Sequence, residues 1–474
     1  MPTATAEPRP TATARRALAR CDPLALRPAG SYVAFRVAFG VLIAIGQLRF
    51  VLRGWVEEFL LAPEVHLTYP GFAWVRPLPP LLMYGLVGGL GLAGVAIALG
   101  WRTRPVAAVF AVGFAYTELI DAALYLNHYW FMTLAAVVLV VVPGPDRGRV
   151  PAITVWALRG QLAVVYLFAG VAKLNEDWLL RGEPLSTWLA ARTDRPIIGP
   201  LLDEPIVGMA FSWAGAVFDL TIVGWLLWSR SRPVAYGVLV AFHVVTAMLF
   251  QIGMFPWMMI LLTPIFCSAE WPARLLERMR RGRRLDSAPN LGPETPGRAH
   301  RTESREVDRS GRAVGATMTA RRRTSISRRA VIPIAVLALV NLVLPIRHAA
   351  ADGDVRWNDD GYLLSWRVML TERATHVRFH LTDPATGATE TVDAESVLTE
   401  WQAAAATVRA DLILTTAHLI ADQRSGPSGP RIAVHVDAFV AWNGRVRERW
   451  IRPDIDLAAL SRAAPASAYV LPAP

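Results

Sequence analysis

The sequence predicts a polytopic α-helical membrane protein, with about eight or nine transmembrane helices and a C-terminal extracytoplasmic α+β domain containing an antiparallel sheet. Three observations predict it. Of the 474 residues 53% are hydrophobic and only 18% charged, and the apolar residues come in long blocks. Lys and Arg collect in the short segments between those blocks. After Arg347 the blocks give way to short, alternating, β-rich stretches.

The first thirty residues carry Arg9, Arg15, Arg16 and Arg20 and no apolar core. They read as a disordered basic tail (1–30) and not as a cleaved signal peptide. A span needs roughly 17 to 25 mostly apolar residues. Candidates fall near 31–52, 80–100, 104–123, 127–143, 154–173, 206–228, 233–252, 254–268 and 330–346. The expected organisation is a membrane domain over 31–270, an Arg-rich disordered linker over 271–329, a last transmembrane helix over 330–347 and an outer domain over 348–474.

Basic residues set the orientation. The N-terminal tail, Arg102 and Arg104, Arg147 and Arg149, Arg230 and Arg232, and the loop after Trp271 all fall on one side if the chain crosses at each span. With the N-terminus inside, the loops around 124–128 and 174–205 share the outer side with the C-terminal domain. The net charge of +11 then reports topology, because 16 Arg lie between Arg274 and Arg329. It points to the lipid bilayer and not to nucleic acid. Cys21 and Cys267 are the two cysteines, with no CxxC motif, and no metal site is expected.

In the tail, the stretches Tyr362–Met369 and Val377–Leu381 read as strands, and Ile432–Trp442 alternates clearly. Asp383-Pro384-Ala385-Thr386-Gly387 reads as a turn, and one helix is expected near 397–420.

Charged groups inside a span cost a few kcal/mol each, so they point to function. His128 follows Asn127 at the start of the fourth span, Lys173 ends the fifth, Asp219 lies in the sixth and His243 in the seventh. Each has a plain alternative. A terminal Lys snorkels to the interface, a membrane His satisfies helix packing, and Asp219 can pair with an Arg such as Arg159. Burial favours the neutral form of an amine, which can then act as a base towards a weak acid such as a quinol hydroxyl. Asn127 and His128 can hydrogen-bond an oxyanion or an acidic substrate. A transporter with a proton relay would use the same residue types.

Three blocks resemble the vitamin K-dependent γ-glutamyl carboxylase family, with a membrane domain of the HTTM type. The first is Leu158-Arg159-Gly160-Gln161 followed by Tyr166 to Trp178. The second is Phe242-His243, then Leu249 to Trp257 and Thr263 to Pro272. The third is Leu344 to His348, Tyr362 to Met369 and Arg452-Pro453-Asp454. The resemblance implies coupling of vitamin K hydroquinone oxygenation to carboxylation of a protein glutamate, consuming O2 and CO2 and giving vitamin K epoxide. It implies Lys173 as the base towards the hydroquinone, Asn127 and His128 in the carboxylation half, and Arg159, Asp219, His243, Trp366 and Met369 as substrate- or cofactor-binding residues. Phylloquinol or menaquinol is the implied quinol. A Glu-containing exported protein or peptide is the implied substrate, and a vitamin K epoxide reductase a further partner.

The departures are specific. The family's double lysine is Ala172-Lys173 here, and the two cysteines do not suit the disulfide of animal members. The Ala- and Arg-rich composition suggests a bacterial plasma-membrane protein. An epoxidase that lacks carboxylation and a non-catalytic transporter or scaffold are the alternative functions; the last would be expected to show an inverted repeat or broken helices in matching halves, and neither is evident.

Overall fold

The computed structural model describes residues 22–196, 198–286, 331–425 and 431–474. Cys21 and most of the basic tail and linker lie outside the described residues. All nine expected spans have a helix at their place: α1 Gly30–Leu52, α2 Pro80–Leu99, α3 Thr103–Ile120, α4 Asn127–Val141, α5 Ala152–Ala172, α6 Pro205–Leu227, α7 Arg232–Leu249, α8 Phe255–Leu262 and, after the amphipathic helix α9 Trp271–Asp286, α10 Val331–Val343. Six are long and apolar enough to cross a bilayer, namely α1, α2, α5, α6, α7 and the helix continued from α10 to Ala350. The shorter α4 and α8 are equally apolar in character and pack in the core.

Small residues let these helices approach. A side chain at Gly40 of α1 would sit 2.4 Å from the Gly94 carbonyl of α2, and one at Gly94 would sit 2.7 Å from the Gly40 carbonyl. One at Gly170 of α5 would strike Leu220 of α6 at 2.9 Å. That second crossing brings the end of α5 against the middle of α6.

Two boundaries differ from expectation. Leu26–Pro28 (β1) pairs antiparallel with Arg149–Pro151 (β2), so the end of the N-terminal segment is ordered by hydrogen bonding to the segment before α5. The start of the Arg-rich linker is the helix α9, whose Leu275, Leu276 and Met279 are exposed along one side.

The C-terminal domain is a four-stranded antiparallel sheet in the order β4-β3-β5-β6, from Arg373–Thr382 (β3), Thr389–Val392 (β4), Ala433–Trp442 (β5) and Glu448–Arg449 (β6). Alternation works as the pattern suggests: Val377, Phe379 and Leu381 of β3, and every second residue of β5 from Val434 to Trp442, are buried. Two helices, α11 Glu400–Ala406 and α12 Ala410–Arg424, replace the single one expected. The break comes at Arg409, whose backbone is extended and whose guanidinium bonds Asp411 and, at 2.8 Å, the Ala122 carbonyl of the membrane domain.

Tyr362–Met369 is the larger correction, because it is no strand. Leu364, Trp366 and Met369 all have φ of 58°, a left-handed conformation costly for such side chains. The segment is a strap folded onto the membrane domain. Trp366 is fully buried in the helical core near Phe131. Reciprocally, Leu67 and Ala122 from membrane-domain loops are buried in the core of the C-terminal domain. The two cores therefore interlock.

Candidate active site

Lys173 caps the end of α5, and its ammonium is buried. Nζ donates to Asp219 Oδ2 at 2.8 Å and to the Ala169 carbonyl at 3.3 Å, and lies 5.0 Å from the centre of the Trp178 ring. Asp219 is buried on α6, so the partner of this carboxylate is Lys173 and not Arg159. Two turns below Lys173 and across the same space, Tyr166 Oη and His243 Nε2 are 3.0 Å apart. These four side chains line a cavity of about 80 Å³ whose other walls include Trp178, Phe250 and Met369.

A second cavity, of about 530 Å³, adjoins it. Asn127 and His128 line it from the first turn of α4, and Gln251 to Met254 from the loop between α7 and α8. The two cavities share Ile252, Phe255 and Val368 in their linings. The Phe255 ring lies 6.3 Å from the His128 ring and 6.2 Å from the His243 ring, centre to centre. Asn127 Nδ2 donates to the Arg367 carbonyl of the strap at 3.3 Å, and its Oδ1 accepts from Tyr125 Oη at 3.1 Å. The strap thus sets the orientation of the Asn127 amide.

Other expected residues stand elsewhere. Arg159 lines neither cavity; it donates to the carbonyls of Ile265, Phe266 and Cys267 and holds the end of the α8 segment. Trp366 anchors the strap in the core, whereas Met369 reaches the small cavity.

Sequence reasoning missed several residues. Arg49 and Glu118 line the large cavity, and both are charged residues within candidate spans, which was signal enough. Asp177 could not be found that way. It is 1% exposed, yet it accepts from Arg356 at 3.3 Å, from Asn443 Nδ2 at 3.0 Å, from Arg181 at 3.5 Å and from Arg445. Asn443 also bonds the Glu372 amide and the Leu370 carbonyl, directly after the strap. Arg356 additionally donates to Asn175, the cap of the short helix Glu176–Leu180 that carries Trp178. One buried carboxylate therefore ties the C-terminal domain to the segment that covers Lys173.

A second junction lies over the large cavity. Asp121 accepts from Gln402 of α11 at 2.7 Å, and Trp401 packs 5.1 Å from Phe59 in the π-helical turn Glu57–Leu61. Among the described residues no group of three or more His, Cys, Asp or Glu could hold a metal ion.

Residues 26–271 match the HTTM domain, and residues 327–474 match the lumenal domain of vitamin K-dependent gamma-carboxylase. No solved structure matches the chain. The helical membrane domain, the antiparallel C-terminal domain and both matches agree: this integral membrane protein belongs to the vitamin K-dependent gamma-carboxylase family.

Proposed function

We propose that the protein is a vitamin K hydroquinone-dependent γ-glutamyl carboxylase that forms γ-carboxyglutamate in an exported protein, with O2 and CO2 as co-substrates. The observation that carries this reading is the adjoining pair of cavities, one holding Lys173 against Asp219 and the other lined by Asn127 and His128. Two half-reactions that share a reactive species need two binding spaces in contact. When bound, the reduced vitamin K supplies, on oxygenation, a base far stronger than any side chain.

The Lys173–Asp219 pair fits a proton-accepting role. It is neutral overall as ammonium with carboxylate and equally as amine with carboxylic acid. Freeing the amine by passing its proton to Asp219 therefore places no net charge in apolar surroundings. Trp178, Phe250, Phe255 and Tyr166 supply flat apolar walls suited to a quinol ring. The space at Lys173 alone is below the roughly 300 Å³ of ordinary ligand pockets, so a bound ring draws on the shared wall. Met369, unbranched and adaptable, is the wall residue best able to yield. Asn127 and His128 would orient the glutamyl side chain on the other flank.

Basic loops support an orientation with the N-terminus inside, which puts the C-terminal domain and both junctions outside, in a bacterial plasma membrane. That domain, from residue 348 onward, would receive the substrate, and menaquinol or phylloquinol would enter from the bilayer. Regeneration would fall to a vitamin K epoxide reductase.

The test uses the full chain in lipid nanodiscs with reduced vitamin K, oxygen, labelled bicarbonate and a glutamate peptide. Both epoxide and labelled peptide should form. Lys173→Ala should lose both by about 100-fold or more, in the range of a general base removed. His128→Ala should lose labelled peptide while epoxide still forms. Full epoxide formation by Lys173→Ala would overturn the role of the lysine, and epoxide without labelled peptide in the unaltered protein would leave an epoxidase.

A further inference from the structure

We propose that the Arg49 end of the large cavity is a carboxylate-binding site and that a glutamyl side chain of the substrate protein is the carboxylate it takes. The inference rests on the proposed function and names a residue for the peptide side of it.

Arg49 lies in the last turn of α1, at the end that faces the C-terminal domain. Its guanidinium packs 4.9 Å from the Trp55 ring centre. Nε is buried and has no hydrogen-bond partner among the described residues. The guanidinium forms no ion pair among them either, although Glu118 lines the same cavity. A half-buried guanidinium with no protein anion beside it gains most from an anionic ligand. Its planar fork suits the two oxygens of a carboxylate, and stacking on Trp55 fixes the plane of that fork.

The surroundings favour a carboxylate on a longer chain over a free ion. A cavity of about 530 Å³ holds far more than a small anion. Asn127, His128 and Gln251 line it together with Arg49, giving neutral polar groups for the rest of a peptide side chain. Phe50, Trp55 and Phe59 add an apolar wall against the methylenes.

The test measures equilibrium binding of a fluorescent glutamate peptide and of its glutamine counterpart to the full chain in nanodiscs, with no quinol present. The unaltered protein should prefer the glutamate peptide by roughly ten- to a hundredfold, as for one charge-assisted contact. Arg49→Gln should abolish that preference, and Arg49→Lys should keep part of it. Because Arg49→Lys retains the charge and the long stem, it serves where Arg49→Gln fails to fold. Glutamate preference retained by Arg49→Gln overturns the proposal. So does equal binding of both peptides by the unaltered protein combined with competition by bicarbonate, which would assign Arg49 to a small anion. Arg49-dependent preference without any carboxylated product supports the site and rejects the carboxylase reading. Carboxylation with preference independent of Arg49 rejects the site and leaves the reading intact.

Discussion

Removing the Asp219 carboxylate is the sharpest perturbation of the Lys173 site. Asp219 Oδ2 is 2.8 Å from Lys173 Nζ, and both side chains are less than a tenth exposed. At an effective dielectric of about 20, two unit charges at that separation attract by about 6 kcal/mol. Desolvation of both ions offsets much of that gain, so the pair need add little net stability. Breaking it is different, because the ammonium is then left buried and uncompensated. Its only other hydrogen-bond partner among the described residues is the Ala169 carbonyl at 3.3 Å. Asp219→Asn should therefore cost about 3–5 kcal/mol if the lysine stays charged. The assay is thermal unfolding of the protein in a fixed detergent, alongside epoxide formation. A fall of several degrees in melting temperature and a large loss of epoxide are expected. The double replacement Lys173→Met with Asp219→Leu should recover most of the lost stability, since an apolar pair of similar volume is often neutral or better. It should recover no activity. An Asp219→Asn protein with unchanged melting temperature and full epoxide formation would refute the argument that the carboxylate governs the state of the lysine.

Three further outcomes follow from the packing. Asp177→Ala leaves Arg356, Arg445 and Arg181 without their shared carboxylate, so it should cost about 3–5 kcal/mol and raise amide exchange in the strap and around Trp178 before the sheet is affected. Gly94→Val would drive its side chain against the Gly40 carbonyl at about the 2.7 Å approach already seen for a Cβ; overpacking of about 1–3 kcal/mol should lower the melting temperature without altering Glu-peptide binding. On the sheet, the hydrogen bond from Arg449 holds the Asp437 carboxyl below the usual carboxylate range, against the opposing effect of burial and with help from His380. A depressed folded-state value gives stability that is present above the ordinary carboxylate range and lost as pH falls through the folded value. Asp437→Asn should remove that part of the acid sensitivity, read as a smaller drop in melting temperature between neutral and acid pH.

Hydropathy made the helices legible because bilayer spans must be apolar on most faces and satisfy their own backbone. β3 and β5 were legible for the opposite reason, since each buries one face and alternates. The strap was not. Tyr362–Met369 has the composition of a strand, but its conformation is imposed by Trp366 inserting into the helical core and by Asn127 and Arg347 bonding its carbonyls. No local propensity predicts left-handed Leu364, Trp366 and Met369. Lys173, His128, Asp219 and His243 were found as polar residues in apolar spans, but which of them meet was not. By type Asp219 could pair with Arg159, and only the α5–α6 crossing at Gly170 decides for Lys173. Asp177 was hidden because three of the side chains that bond it lie in the C-terminal domain, far away in sequence.

The division between matched and unmatched charge ties these observations together. Lys173 and Asp219 form a closed neutral pair, suited to moving a proton without drawing an ion into the membrane. Arg49 and Glu118 line the neighbouring cavity without pairing, which suits a charged ligand whose arrival completes the site. What separates the two is a thin wall, and one of its members, Val368, is supplied by the C-terminal domain. The same strap contacts Asn127 through Arg367 and reaches the small cavity through Met369. One strained segment of the C-terminal domain therefore touches both cavities. On this geometry, Val368 and Met369 are the positions where the C-terminal domain and the environment of Lys173 are mechanically joined.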